Sequence, residues 1–339
     1  METVSSGCWR GYRKKRSPML DAIAALIRRG RRFLVTTHVR PDGDAIGSAL
    51  AAYHVLRGLN KEAVVYLQDK IPDIYAFLPG ASVVVRRLGA VDTFDAVILL
   101  DCSDIRRVGD EADKVGSIGT VINIDHHLSN NGFAEYSLID AGASSTGELL
   151  YRLIGELGVE ITPDIAVNIY TAVVTDTGSF RYSSAGSAAF RLAAEMVDRG
   201  AEPHVIAERI YETAPRERIA LLKSALETLG FDYGGSVGSI VVTRAMLRKT
   251  KALSEHTEGL VDIVRSIEGV RVAVFYQEME DGTVKISLRS KGSTDVSRLA
   301  IRFGGGGHLN ASACSIKGDV ADAKRQILDS IQALSIVAG

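Results

Sequence analysis

The sequence of 339 residues has few cysteines, no long apolar run and no excess of either charge. Its three cysteines, Cys8, Cys102 and Cys314, lie far apart and form no Cys-x-x-Cys pair. This argues against a disulfide framework or a zinc knuckle and fits a reducing cytoplasm. Since no apolar stretch reaches the roughly 18 residues of a membrane helix, we expect no membrane partner. The 40 Lys and Arg nearly balance the 41 Asp and Glu, so we expect no binding of long duplex nucleic acid.

The chain is long enough for two domains, each with its own core. Residues 1–17 carry a basic cluster but no long apolar core, so we predict a disordered basic tail and not a secretory signal. We then predict an N-terminal domain at 18–200, a helical linker at 201–230 and a smaller α/β domain at 231–339.

In the first half, short apolar runs alternate with helical patterns, which predicts an α/β fold whose parallel sheet has helices on both faces. The predicted strands are Phe33–Thr37, Ala63–Leu67, Ala96–Leu100 and Thr120–Ile124. The predicted helices are Pro18–Arg29, Ala45–Leu59, Ser145–Glu156, Pro163–Thr175 and Gly186–Asp198. Ligands of such sheets bind at the carboxyl ends of the strands.

In the second half, Glu202–Leu229 has a helical period, and strand signals follow it. Asp281-Gly282 predicts a tight hairpin between two of these strands. The predicted strands are Ser239–Thr243, Val270–Glu278, Val284–Ser290 and Ser312–Ile316. The predicted helices are Asp295–Arg302 and Val320–Leu334, with the glycine run Gly304–Gly307 after the first.

One short segment after the first strand carries His38, Asp42 and Asp44. Pro41 and Gly43 predict a tight turn there, and Gly47 leaves room for close helix packing. Imidazole and carboxylate groups on one turn are typical of a metal site. The alternative is a strand–turn–helix joint in which Asp44 only caps the helix.

Three further elements end in acidic or imidazole side chains. Asp101 follows one apolar run, Asp176 another, and Asp125-His126-His127 ends a third. A lone Asp or His at such a place is more often structural, but an unpartnered charge there is costly.

Together, four carboxylates in one cleft would carry a charge of −4, which two divalent cations would balance. The predicted metal ligands are His38, Asp42, Asp44, Asp101, His126 and Asp176. Mixed imidazole and carboxylate ligands favour Mn²⁺, with Fe²⁺, Co²⁺, Zn²⁺ or Mg²⁺ as alternatives.

In order and spacing, these segments resemble the motifs of the DHH phosphoesterase family, whose name Asp125-His126-His127 spells out. The glycine run with His308 is similar to the signature of the DHH-associated domain of RecJ and of the small nanoRNA-degrading enzymes. The length favours the latter, the oligoribonuclease and pAp-phosphatase type. One departure is Ala313, where the family loop commonly has glycine.

The resemblance implies that His38, Asp42 and Asp101 hold one ion. It also implies that Asp44, Asp101, His126 and Asp176 hold the other, with Asp101 as a catalytic bridge between the two. Two ions so placed activate water and clamp the phosphate. We expect His127 to contact the phosphate or protonate the leaving oxygen, and Asp125 to orient an imidazole.

For substrate binding, Gly305, Gly306, Gly307 and His308 suggest a phosphate nest, against the alternative of a flexible surface linker. Arg289 ends a predicted strand and can pair with a terminal phosphate, as the resemblance also implies. Arg181 follows Asp176 closely and is a weaker candidate, because isolated arginines are more often solvated.

The predicted activity is hydrolysis of short oligoribonucleotides to mononucleotides and removal of the 3′-phosphate from pAp. One alternative is a phosphodiesterase for cyclic dinucleotides or for linear products such as pApA. Another is a nucleotide-binding sensor with a degenerate site. A type II pyrophosphatase is less favoured, since it resembles this chain only in the first half. The expected partners are short RNA or small nucleotides, and a homodimer is compatible with the sequence without following from it.

Overall fold

A computed structural model describes residues 17–336 of the chain. The predicted basic tail, 1–17, lies outside these residues except for Ser17. The chain divides between Glu212 and Thr213 into two compact units, so the stretch predicted as a linker, 201–230, is shared between them.

The N-terminal unit is built on a parallel sheet. Its strands are β1 (Arg32–Thr36), β2 (Glu62–Tyr66), β3 (Ala96–Leu100), β4 (Val121–Asp125) and β5 (Tyr136–Ile139), in the order β2-β1-β3-β4-β5. Its helices are α1 (Pro18–Arg29), α2 (Gly43–Gly58), α3 (Ala112–Gly116), α4 (Thr146–Leu157), α5 (Pro163–Asp176), α6 (Ser187–Asp198) and α7 (Pro203–Tyr211). Each neighbouring pair of strands is parallel. This confirms the predicted fold class.

Both faces of this sheet are buried. Because successive side chains of a strand point to opposite faces, Phe33 and Val35 join the core formed with α1, α2, α4 and α5. Leu34 instead joins a second core, which includes Val108 and residues of α3. Burial on both faces explains why the strands appear in sequence as short continuous apolar runs.

Close packing of α2 on α5 sets the position of the first turn of α2. A Cβ on Gly47 would lie 2.5 Å from the carbonyl oxygen of Asn168, and a Cβ on Gly43 would lie 2.5 Å from Thr175 Oγ1. Gly47 therefore lets α2 pack closely on the middle of α5, and Gly43 lets the start of α2 approach its carboxyl end, where Asp176 lies.

The C-terminal unit contains a mixed sheet with the strand order β10-β11-β9-β8-β7-β6. Its strands are β6 (Gly230–Asp232), β7 (Val237–Val242), β8 (Val272–Glu278), β9 (Thr283–Ser290), β10 (Gly306–His308) and β11 (Ala311–Lys317). Its helices are α8 (Arg216–Leu226), α9 (Arg244–Thr250), α10 (Leu260–Ser266), α11 (Ser297–Arg302) and α12 (Val320–Ala333). β7 and β8 are parallel, and the other neighbours are antiparallel.

The predicted hairpin joins β8 and β9, with Gly282 at a φ of +76° as such a turn requires. One core of this unit includes α11 and α12, and the other includes α8 and α10. Among residues 17–336, no helix has both the length and the apolar character needed to cross a membrane.

Candidate metal centre

The predicted ligands lie where strands and α5 end and where α2 begins. β1, β3 and β4 are neighbours, and their carboxyl ends lead into His38, Asp101 and His126. Parallel neighbours end at the same edge, so the strand order itself brings these side chains together. Asp42 caps α2, its Oδ1 accepting a hydrogen bond of 3.0 Å from the Ala45 N–H. Asp176 is the last residue of α5.

Three carboxylates surround Nε2 of His126. This nitrogen lies 3.4 Å from Asp176 Oδ2, 3.5 Å from Asp44 Oδ2 and 3.7 Å from Asp101 Oδ1. Ligand atoms at about 2.1 Å from one ion lie roughly 3.0 to 3.4 Å from each other in octahedral or tetrahedral geometry. Ligand atoms of Asp44, Asp101 and His126 all lie within 4.8 Å of one another, and Asp176 Oδ2 lies beside His126. Nitrogen with carboxylate oxygen is a donor set for a divalent metal.

A second group forms on the other side of Asp101. Nε2 of His38 lies 3.4 Å from Asp101 Oδ2, and ligand atoms of His38, Asp42 and Asp101 all lie within 4.8 Å of one another. Asp101 therefore presents Oδ1 to the His126 group and Oδ2 to the His38 group. One carboxylate so placed can bridge two ions.

Crowded negative charge gives this cluster its electrostatic character. Asp44 and Asp101 are almost fully buried. Burial raises the pKa of Asp44 well above its usual range, and the neighbouring carboxylates of Asp101 and Asp176 raise it further. Burial would also raise the pKa of Asp101, but the imidazoles of His127 and His38 outweigh it and lower that pKa. The cluster is therefore stabilised by positive charge at its centre.

The start of α4 orients two of the carboxylates, a role that the sequence does not indicate. The N–H groups of Thr146 and Gly147 donate to Asp44 at 2.7 and 3.0 Å. Thr146 Oγ1 donates to Asp101 Oδ1 at 3.0 Å. The N–H groups of a first helical turn have no partner within the helix and favour an anion. Ser145, whose side chain accepts from the Glu148 N–H, is a helix-start signal in the sequence, but it does not reveal where the helix points.

His126 is held by its other ring nitrogen. Nδ1 lies 3.2 Å from the carbonyl oxygen of Ala143. Because a carbonyl only accepts, Nδ1 carries a hydrogen, which leaves Nε2 as the ring nitrogen available to a metal. This tautomer is the one needed for a metal ligand.

His127 belongs to a separate chain of hydrogen bonds. Its Nδ1 lies 2.7 Å from Asp125 Oδ1, and Asp125 Oδ2 accepts from Asn130 Nδ2 at 2.6 Å. Burial alone would lower the pKa of His127, but the carboxylates of Asp101 and Asp125 raise it to about 9. Asn130 was not predicted, because an Asn in a loop has no distinctive pattern. The two carboxylates thus favour the protonated form of this imidazole.

Arg181 lies in the turn that follows α5. Its side chain is exposed, and Nε donates to the carbonyl oxygen of Gly178 at 2.6 Å. The turn that follows Asp176 is left-handed, with φ values of +56° at Gly178, +59° at Ser179 and +60° at Phe180. Substrate binding by Arg181 stays a prediction.

In the C-terminal unit, Arg289 lies on β9. Nη1 donates to the Leu288 carbonyl oxygen at 3.1 Å, and Nε lies 3.9 Å from Asp262 Oδ1. An acidic neighbour holds this guanidinium in place and also competes with a phosphate for it. Phosphate binding by Arg289 stays a prediction.

The glycine run has packing reasons of its own. The N–H of Gly305 donates to the Ala300 carbonyl oxygen at 2.9 Å, which closes the end of α11. Gly306, Gly307 and His308 form β10, paired with β11. A Cβ on Gly305 would collide with the Ala313 carbonyl oxygen. The Gly305 N–H is therefore used within the chain, and substrate binding by this run stays a prediction.

Comparisons with known proteins agree with these features. The model of the DHH family, N-terminal domain, matches residues 32–173, and the model of the DHHA1 domain matches residues 238–335. The bifunctional oligoribonuclease and PAP phosphatase NrnA of Thermus thermophilus is 34% identical over 299 residues, covering 88% of each chain. The protein of that name from Bacillus subtilis is 26% identical over 82% of this chain and 87% of its own. A crystal structure of an exopolyphosphatase-related protein from Bacteroides fragilis has a TM-score of 0.84 and 31% identity, covering 93% of this chain and 97% of that one.

Proposed function

This chain belongs to the DHH family and carries a DHHA1 domain, and on that premise we propose that it acts on short oligoribonucleotides and on pAp. As a DHH phosphoesterase it is a metal-dependent hydrolase. It would release mononucleotides from the RNA and remove the 3′-phosphate from pAp. The relatives named as oligoribonuclease and PAP phosphatase, which match along most of their length, support this choice.

The observation that carries the proposal is the carboxylate shell around His126 Nε2. Three oxygens at 3.4 to 3.7 Å from one nitrogen fit a common ion, and the raised pKa of Asp44 reflects the same charge crowding. We assign His38, Asp42 and Asp101 to one ion. Asp44, Asp176 and His126 would hold the other together with Asp101. Imidazole among the oxygen donors favours Mn²⁺.

Two divalent ions in this place supply Lewis acidity for water and phosphate. The protein itself contributes a proton donor. Asp125 is buried, and its pKa lies below the usual value, because hydrogen bonds from His127 and Asn130 outweigh its burial. The ionised carboxylate accepts from His127 Nδ1, so the opposite nitrogen, Nε2, can give its proton to a leaving oxygen. Asp125 thus acts through the imidazole that it orients.

Recognition of the substrate is assigned to the C-terminal unit. There we propose that Arg289, with His308 and the adjoining Gly306 and Gly307, binds phosphate groups, which follows the family resemblance. The net charge of −1 supports short substrates, since a protein without a basic excess has no long-range attraction for a long polyanion.

The test of this proposal is a substrate panel. Purified protein with Mn²⁺ is assayed against a five-nucleotide RNA, pAp, cyclic di-AMP, pApA and pyrophosphate. We expect turnover of the RNA and of pAp with the highest kcat/KM. Each assay is repeated with Asp101→Asn, which should lower turnover of every substrate by at least about 10³-fold, so that activity retained by this variant would reveal a contaminating hydrolase.

The other outcomes separate the alternatives. Preference for cyclic di-AMP or pApA would replace the substrate assignment with that of a dinucleotide phosphodiesterase using the same ligands. Turnover of pyrophosphate alone would contradict the substrate class. A protein that binds nucleotides but hydrolyses none of the five would be a sensor, a result at odds with the presence of all six predicted ligand residues.

A further inference from the structure

A short loop between β5 and α4 makes direct contacts to the metal centre. We call residues 140–145 the support loop. The Ala143 carbonyl oxygen accepts from His126 Nδ1. Directly after the loop, the N–H groups of Thr146 and Gly147 donate to Asp44. The backbone of this stretch therefore orients ligands from two different elements, so its position decides whether they face a common point.

Arg152, on the second turn of α4, fastens the support loop to the helix. Its Nη1 donates to Asp140 Oδ2 at 2.7 Å, and its Nη2 donates to Glu148 Oε1 at 2.6 Å. The other oxygen of Glu148 accepts from Ser144 through the backbone N–H at 2.9 Å and through Oγ at 2.8 Å. Both ends of the loop are thus tied to one guanidinium, the first through Asp140 and the second through Glu148 and Ser144.

The charge arrangement makes Arg152 hard to replace. Glu148 is 2% exposed, and a buried carboxylate without a cationic partner is costly. A guanidinium presents donors in a fixed planar fork and can serve two carboxylates at once, whereas an ammonium is a single point charge. Asp140 also accepts from the Gly142 N–H at 3.0 Å, so the same carboxylate shapes the loop.

We propose that Arg152 is a positioning residue of the metal centre. By holding Asp140 and Glu148 it sets the support loop, and the loop directs His126 and Asp44 toward one shared ion. Arg152 touches neither the ion nor the substrate in this account. The inference rests on the proposed function, because it assumes that these ligands hold a metal.

The test measures metal binding without substrate. Chelator-treated protein is titrated with Mn²⁺, and free Mn²⁺ is followed by electron paramagnetic resonance. Removing a group that orients metal ligands typically weakens metal affinity by about 10- to 100-fold, and we expect Arg152→Met to weaken the binding of one of the two ions by that factor. The lysine of Arg152→Lys can reach only one carboxylate at a time. The Mn²⁺ affinity of this variant should therefore lie between those of the wild type and of Arg152→Met.

A matched control is Arg199→Met. Arg199 also forms an i,i+4 ion pair in the N-terminal unit, 3.9 Å from Glu195, with a side-chain exposure of 35% against 29% for Arg152. It follows α6, and its partner Glu195 accepts a hydrogen bond from Tyr151 of α4 but has none from the support loop among the described contacts. We expect Arg199→Met to bind both ions with unchanged affinity, so that loss of a partly exposed ion pair does not by itself reproduce the effect.

The outcomes are distinct. Unchanged affinity for both ions in a folded Arg152→Met protein would overturn this inference alone. If that variant does not fold, Asp140→Ala decides instead, since the Asp140 side chain is 43% exposed and its removal should leave the core intact. Asp140→Ala should then bind one of the two ions about 10-fold more weakly. Wild-type affinity for both ions in this variant would reject the role of Arg152. A wild-type protein that binds no Mn²⁺ would overturn the proposed function, and this inference with it.

Discussion

Asp101→Asn is expected to lower kcat by at least about 10³-fold on every substrate while leaving the fold intact. In other enzymes, removing one hydrogen-bond donor that stabilises the charge of the transition state lowers kcat by about 10²- to 10³-fold. Asp101 contributes to both proposed ions, with Oδ1 toward His126 and Oδ2 toward His38. The neutral amide removes a negative charge from the ligands of both ions at once, so we expect a larger loss of kcat.

Asparagine is the informative substitution because of the backbone. Asp101 has a φ of +55°, a left-handed conformation that Asn tolerates better than most residues. Its amide oxygen can still accept from Thr146 Oγ1. Circular dichroism and Tm should therefore stay close to wild type. Asp73→Asn, at a side chain that is 69% exposed, is the matched control and should keep full activity. Wild-type kcat in Asp101→Asn would rule out a two-ion mechanism at this site.

The second large effect is expected at His127. His127→Asn should lower kcat by about 10² to 10⁴-fold, the usual contribution of a positioned acid or base, without weakening Mn²⁺ binding. The amide nitrogen of Asn can take the place of Nδ1 in the hydrogen bond to Asp125, whereas nothing replaces Nε2. The variant thus removes the proposed proton donor and keeps the hydrogen bond to Asp125.

A substrate with a better leaving group separates this role from others. A p-nitrophenyl phosphodiester needs little protonation of its leaving oxygen, so His127→Asn should lose much less kcat on it than on RNA. An equal loss on both substrates would mean that His127 contacts the phosphate and does not protonate the leaving oxygen. If His127→Asn bound one Mn²⁺ ion fewer than the wild type, His127 would instead be a metal ligand.

The fold was largely predictable because its strong signals are local. Pro18–Arg29 and Ala96–Leu100 coincide with α1 and β3, since a helical period and a fully buried strand each leave a clear pattern. The sequence of β5 has no such pattern, because Leu138 is the single buried residue of Tyr136–Ile139. β10 consists of Gly306, Gly307 and His308, which have little strand propensity. It forms only because β11 lies beside it.

The site was predictable where chemistry follows a strand end and unpredictable where contacts cross the chain. His38, Asp101 and His126 meet because three neighbouring parallel strands end together. Thr146 contacts Asp44 across a sequence separation of 102 residues, and the direction of a helix start is set by tertiary packing. Arg152 looks in sequence like an ordinary i,i+4 partner of Glu148, and only its contact with Asp140 reveals the link to the support loop.

The number of ions bound per chain is the decisive measurement for the two-ion centre. Chelator-treated wild-type protein is titrated with Mn²⁺, and free ion and RNA hydrolysis are recorded in the same samples. The geometry around Asp101 predicts two ions per chain, with hydrolysis appearing as the second site fills and with fewer than two ions in Asp101→Asn. Full hydrolysis with one ion bound, or with none, would contradict it.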